Sequence, residues 1–349
     1  MLLRENFAEA HIRELQKISR RDPILLERAV YAFGLLEAIT RVGMPFVFKG
    51  GTCLMLLLEH PQRLSTDIDI IVEPGTQVDA YIQKAADIFP FVRHEEQKRI
   101  GKNMIEKRHF KFTYDSPING KEFYIILDVL FEHNLYARLE QRDIQNELLL
   151  TEPEMLKVWV PSAECILGDK LTAFAPHTTG ILLNIGKDME VMKQFYDVCS
   201  LLEVFTDFDE VKDTYEKVVK SEIAYCGTEI LPKDVLQDMF EAAFCIASHG
   251  KFGAEEFPLY VKGIRELRSH IYAENYSPEI AAGRAAKVIY MVTCLLTNTA
   301  YERVGDYRKY VGLKFTQEDM LQLKYLKKAN PEAYAYAIKA DQLLALLCG

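Results

Sequence analysis

The sequence predicts an α+β protein, a mixed sheet with flanking helices followed by a mainly helical C-terminal domain. Two observations carry this. Up to about residue 160, apolar runs of strand length interleave with segments of helical periodicity; beyond it almost every segment repeats its apolar residues at helical spacing. A third observation ties the elements together: Lys49-Gly50-Gly51-Thr52 ends one strand-like run and opens a helix at once. The division expected is residues 1–160 for the sheet-bearing core and 161–349 for the helical domain, with 161–205 completing the active site.

The elements follow in order. A helix is predicted over 4–18, and a second from Asp22-Pro23, where Asp caps and Pro takes the first helical position. A short strand, Pro45 to Phe48, runs into the Gly-Gly turn and the helix CLMLLLE; the next strand is Asp67 to Val72, then a helix over about 77–89. Strand-like runs lie at 91–97, 107–115 and 121–131, the last two joined as a hairpin by Ser-Pro-Ile-Asn-Gly, 116–120. Beyond Ser162 come helices to about Ala175, over Asp188 to Val204, and near 209–225, 232–248, 254–270, 278–298 and 317–328, with a last one starting at Asn330-Pro331.

Bulk properties bound the function. The chain has 349 residues and a formal net charge of −9, so it does not bind nucleic acid by overall charge; a polyanionic substrate needs a local basic patch. Seven cysteines without metal-ligand or redox spacing point to reduced thiols and a cytoplasmic location. The N-terminal stretch is charged and amphipathic, unlike a signal peptide. The longest apolar stretch near the C-terminus, Val288 to Leu296, is too short to cross a bilayer, so no membrane association is expected.

The chemistry is concentrated in residues 46–74, FVFKGGTCLMLLLEHPQRLSTDIDIIVEP. Glycines at 50 and 51 let the backbone approach a ligand closely, and the free N–H groups at the start of the following helix attract an anion such as a triphosphate. Arg63 and Ser65 lie just upstream of the next strand, and Asp67 and Asp69 alternate within it, so their side chains share a face. Two close like charges repel unless a cation lies between them, and Mg²⁺ suits carboxylate and phosphate oxygens. Asp128 is the lone charge in the apolar run Phe123 to Leu130, where an unpaired carboxylate is expensive. Three carboxylates can hold two ions, one activating the attacking hydroxyl and one organising the triphosphate and its leaving pyrophosphate.

Each feature alone has a structural alternative. Gly-Gly-Thr turns are mostly structural, Asp-x-Asp is usually a solvated strand face, and Asp128 can pair with a structural arginine. The three in order carry the assignment.

These residues resemble the AbiEii/AbiGii toxin-type nucleotidyltransferase family, within the DNA polymerase β-like superfamily. The match rests on Gly50-Gly51-Thr52, on Arg63-x-Ser65-x-Asp67-x-Asp69, and on the later Asp128. It continues through Gly168-Asp169-Lys170-Leu171-Thr172-Ala173-Phe174 and Gln194-Phe195-Tyr196-Asp197-Val198. The resemblance covers about residues 30–205. It implies a polymerase β-like core, Mg²⁺ or Mn²⁺ on the three aspartates, Lys170 on the nucleotide phosphates, and Asp197 nearby in an orienting role. Many members carry an arginine soon after the Lys helix; here only Lys187 and Lys193 stand in that stretch. By themselves, Lys170 reads as a surface lysine beside Asp169, and Asp197 as a solvated helix position.

The function implied is nucleotide transfer from an NTP by the toxin of a type IV toxin–antitoxin pair, with tRNA or another RNA as acceptor and a cognate antitoxin as partner. A basic stretch at 93–111, with seven Lys/Arg and three Glu, suits an RNA acceptor as well as it suits a solvated hairpin. A second, at Arg303, Arg308, Lys309 and Lys314 among Tyr301, Tyr307 and Tyr310, reads better as ordinary helix–loop surface than as a base-stacking platform. Two alternatives stand beside the toxin reading: nucleotide transfer to a small aminoglycoside-type acceptor, which the acidic charge favours, and an NTP-binding module without turnover.

Overall fold

The computed structural model describes residues 1–97, 106–226 and 229–347. The chain forms two compact units, Met1–Ser162 with Ser269–Glu274, and Ala163–Arg268 with Asn275–Gly349.

The first unit opens with a 3-10 turn, Arg4–Phe7, and helix α1, Glu9–Ser19. The single helix expected over 4–18 is thus broken at Ala8, whose backbone is extended. Asn6 accounts for the break: its side chain is buried, donates to the carbonyls of Leu3 and Leu150, and accepts from the Leu150 N–H. Helix α2 is Pro23–Arg41, and Asp22 caps it by accepting from the Leu25 N–H at 3.0 Å. Strand β1 (Val47–Lys49) leads into α3 (Gly50–Leu57), then β2 (Ile68–Val72), α4 (Asp79–Ala86), β3 (Phe91–Gln97), β4 (Lys107–Asp115) and β5 (Glu122–Phe131).

The five strands form one mixed sheet in the order β1-β2-β5-β4-β3, in which β2 and β5 run parallel and the other neighbours antiparallel. Alternation along the strands divides its faces. Ile68, Ile70, Val72, Ile125, Leu127, Val129, Phe110 and Phe112 are buried on the face that α2 and α4 cover. Asp69, Asp128 and His109 belong to the other. At the end of the hairpin, Glu27 of α2 is 1% exposed and accepts from Tyr114 Oη, Ser116 Oγ and the Ile118 N–H, which anchors the turn to the core. A second, two-stranded sheet of β6 (Leu139–Asp143) and β7 (Lys157–Pro161) has no counterpart in the sequence expectation. The polar run Leu-Glu-Gln-Arg-Asp has no apolar alternation to reveal it.

The second unit is helical: α5 (Ala163–Ala173), α6 (Asp188–Val204), α7 (Phe208–Cys226), α8 (Pro232–Ala247), α9 (Phe257–Leu267), α10 (Pro278–Thr297), the single turns α11 (Arg308–Val311) and α12 (Leu326–Ala329), and α13 (Pro331–Leu347). The helix expected over 317–328 resolves into a 3-10 segment, Asp319–Leu323, and α12. The apolar run at Val288 to Leu296 belongs to α10, which at 20 residues is long and apolar enough to cross a membrane, so its length does not exclude that role. Burial accounts for it instead: 67% of its most apolar window lies inside the protein, packed on α6, α8 and α13.

Candidate active site

The Gly-Gly turn is shaped by what surrounds it. Gly50 has φ of 80°, a left-handed conformation that favours glycine. A β-carbon there would collide with the carboxylate of Asp69. At Gly51 it would lie 2.5 Å from Arg63 Nη2 and 2.8 Å from Ser65 Oγ. The two missing side chains therefore leave the space that Asp69, Arg63 and Ser65 fill. Thr52 is buried, and its hydroxyl donates to the Asp67 carbonyl at 2.6 Å, tying the first turn of α3 to the segment entering β2. Arg63 is 7% exposed, and its backbone bridges to Ile271.

The sheet aligns a row of polar residues. Asp69 pairs with Lys49 on β1 and with Asp128 on β5, and Asp128 pairs with His109 on β4. Residues directly opposed across strands present their side chains to the same face, so Asp69 and Asp128 are neighbouring positions on that face. His109 Nδ1 donates to Asp128 Oδ1 at 2.6 Å. Asp67 stands just ahead of β2 with its side chain half-exposed, and Arg28 Nη2 of α2 lies 3.6 Å from its Oδ1. The Arg28 guanidinium also rests over the Phe123 ring.

The structure thus gathers Gly50, Gly51, Thr52, Arg63, Ser65, Asp67, Asp69 and Asp128 around β1, β2 and β5. Lys170 and Asp197 belong to the helical unit and pair there. Lys170 Nζ donates to Gln194 Oε1 at 2.7 Å and lies 3.1 Å from Asp197 Oδ2, and both side chains are nearly buried, at 11% and 2% exposure. Neither is the solvated surface residue that its sequence context alone describes. Lys193, one candidate for the missing family arginine, pairs with Glu190.

Two residues at the site are absent from the sequence reading. His109 was legible in principle: the hairpin turn at 116–120 fixes the register of β4 on β5, and register alone sets His109 opposite Asp128. Arg28 carries no such signal, because its approach to Asp67 follows from how α2 packs.

Among the described residues, no group of three His, Cys, Asp or Glu side chains is gathered closely enough to hold a metal by itself. Mg²⁺ bound with a nucleotide takes only one or two carboxylates from protein and completes its shell with phosphate oxygens and water. The adjacent Asp69 and Asp128, beside the Gly50-Gly51 turn, fit such a shared ion.

Several basic groups of the two expected surfaces have structural partners among the described residues. Of the 93–111 stretch, 98–105 lie outside the described residues; in the remainder Arg93 pairs with Glu122, Lys111 with Glu95, and Arg108 with Glu96 and Asp79. Arg303 donates to the carbonyls of Leu202 and Phe205 at the C-terminal end of α6, and Tyr301 packs against Phe205 and Tyr290.

A family model described as "Nucleotidyl transferase AbiEii toxin, Type IV TA system" matches residues 35–276. A comparison with curated proteins finds no match. Similar solved structures include JHP933 from Helicobacter pylori, at 13% identity over 78% of this chain and 93% of that one, with a TM-score of 0.44. Another is an antigenic nucleotidyltransferase-like protein from Paracoccidioides brasiliensis, at 16% identity over 57% of this chain and 86% of that one, with a TM-score of 0.38.

Proposed function

Because the chain belongs to the AbiEii nucleotidyltransferase toxin family, whose model matches residues 35–276, we propose that it transfers a nucleotide from an NTP to an acceptor hydroxyl and releases pyrophosphate. The observation that carries this reading is the adjacency of Asp69 and Asp128 beside the Gly50-Gly51 turn. In it, Asp69 and Asp128, with Asp67 at the strand entrance, hold Mg²⁺ or Mn²⁺. The bound ion supplies charge neutralisation on the triphosphate and acidifies the attacking hydroxyl. The chain's own groups do the rest. The N–H groups opening α3 receive phosphate oxygens, as helix N-termini do, and Arg63 and Ser65 flank that turn. Lys170 is assigned to the nucleotide phosphates and Asp197 to holding Lys170, a role that their short contact supports.

The biological role proposed is that of the toxin in a type IV pair with a cognate antitoxin, acting in the cytoplasm on RNA, with tRNA as first candidate acceptor. Cys226, Cys245 and Cys294 are free thiols, which suits a reducing compartment. One observation favours a second acceptor class, a cationic small molecule of the aminoglycoside type: the net charge is −9, and acidic partners occupy Arg93, Arg108 and Lys111.

Incubation of the protein with labelled NTPs and Mg²⁺, offering total tRNA or an aminoglycoside in parallel, tests both. Label entering tRNA supports the toxin reading, and label entering only the drug supports the second. Asp69→Asn should lower turnover by about 10²–10³-fold, the range for loss of one group stabilising transition-state charge. Near-native turnover in that variant would remove the site assignment. NTP binding with no pyrophosphate release on any acceptor would leave a binding module.

A further inference from the structure

We propose that His109 is a positioning residue for Asp128, holding one carboxylate oxygen so that the other is committed to the metal; this rests on the reading of Asp128 as a metal ligand given above. An ionised carboxylate only accepts hydrogen bonds, so at 2.6 Å the proton lies on His109 Nδ1 and points at Asp128 Oδ1. The imidazole is 15% exposed, so the donor side of this bond is largely shielded from water. His109 is itself held on both sides. It lies in a central strand, paired with Asp128 of β5 and with Gln97 of β3, not on a loop. Carboxylates that ligate metals are commonly oriented by such outer partners, and loss of one lowers metal affinity or activity by about 10–100-fold.

The placement is specific to the first ring nitrogen. An asparagine at 109 can present an amide N–H near the Nδ1 position, whereas a glutamine carries its amide further out, toward the Nε2 position. Mn²⁺ with a non-hydrolysable NTP analogue, titrated into native protein, His109→Asn, His109→Gln and Asp128→Asn and followed by electron paramagnetic resonance, distinguishes the cases. Circular dichroism checks that each variant is folded. The expected result is binding by native protein, loss in Asp128→Asn, a 10–100-fold weakening in His109→Gln, and recovery of most of that loss in His109→Asn. Native-like binding in His109→Gln with loss in Asp128→Asn would overturn the role of His109 and leave Asp128 as a ligand. Equal weakening in the Asn and Gln variants would overturn the assignment to Nδ1. Native-like binding in Asp128→Asn, or none in native protein, would overturn the metal-ligand reading and this inference with it.

Discussion

Gly50 and Asp69 share one volume: the carboxylate of Asp69 occupies the space where a side chain on residue 50 would begin. The strand end and the helix start can approach this closely only because residue 50 has no β-carbon and tolerates φ of 80°. Gly50→Ala should therefore cost about 1–2 kcal/mol in backbone strain. Turnover should fall by about 10²-fold, the effect of a displacement near 1 Å at a reacting centre. Gly51→Val meets the ends of two side chains that can retreat, so its melting temperature should fall less while turnover still drops. Thermal melts beside turnover measurements separate the two. A Gly50→Ala protein with native turnover would show that Asp69 need not stay where it is.

Glu27 is the buried acid under the hairpin. Burial raises its carboxyl above the ordinary range, opposed by the hydrogen bonds from Ser116, Tyr114 and the Ile118 N–H. Burial, reinforced by the Glu27 charge, also drives the Tyr114 hydroxyl upward. Glu27→Ala strips a shared acceptor from buried donors and should cost about 1–3 kcal/mol for each group left unpaired. Glu27→Gln keeps an acceptor oxygen and should cost less. Urea denaturation of the two variants checks the order.

Lys170 and Asp197 make a nearly buried ion pair, and a single substitution removes one of its two charges. Lys170→Met should destabilise the protein by about 3–5 kcal/mol, and Lys170→Met with Asp197→Leu should recover much of that loss. If Lys170 also contacts nucleotide phosphates, the double variant regains stability without regaining turnover. Recovery of both would reduce the pair to a structural element.

His177 lies between two carboxylates, its Nδ1 2.7 Å from Asp238 and its Nε2 2.9 Å from Glu256. Burial alone would lower its pKa, but the hydrogen bond to Asp238 and the charges of Asp238 and Glu256 outweigh burial and raise it above 6.5. A histidine raised on folding stabilises the fold below its unfolded value and loses that contribution as pH rises through the folded value. The melting temperature should thus decline as pH climbs from 6.5 toward the folded pKa, and His177→Asn should flatten that decline. An unchanged slope in the variant would place the titration elsewhere.

Much of the sheet unit was readable because its signals are local. Asp22-Pro23 starts α2, the 116–120 turn makes the β4–β5 hairpin, and Gly50-Gly51 ends β1 where Asp69 requires room. What escaped depends on distant partners. The break at Ala8 follows from the bonds of Asn6 to residue 150, and β6 forms because β7 is there to pair with it. Arg28 reaches Asp67 across 39 positions of sequence, a contact with no periodicity to announce it. Burial of Lys170 and Asp197 was likewise invisible, since a charged pair reads from composition as solvated.

The apolar helix α10 has a consequence for synthesis. It leaves the ribosome well before α13, one of the helices that shelter it. Until then the nascent chain displays a segment with the hydropathy of a membrane span and part of its cover missing. That interval is when aggregation or capture by a chaperone is most favoured. A stop codon ahead of Pro331 would make the exposure permanent, so such truncated products should accumulate as insoluble protein although every residue of the sheet-borne site is present.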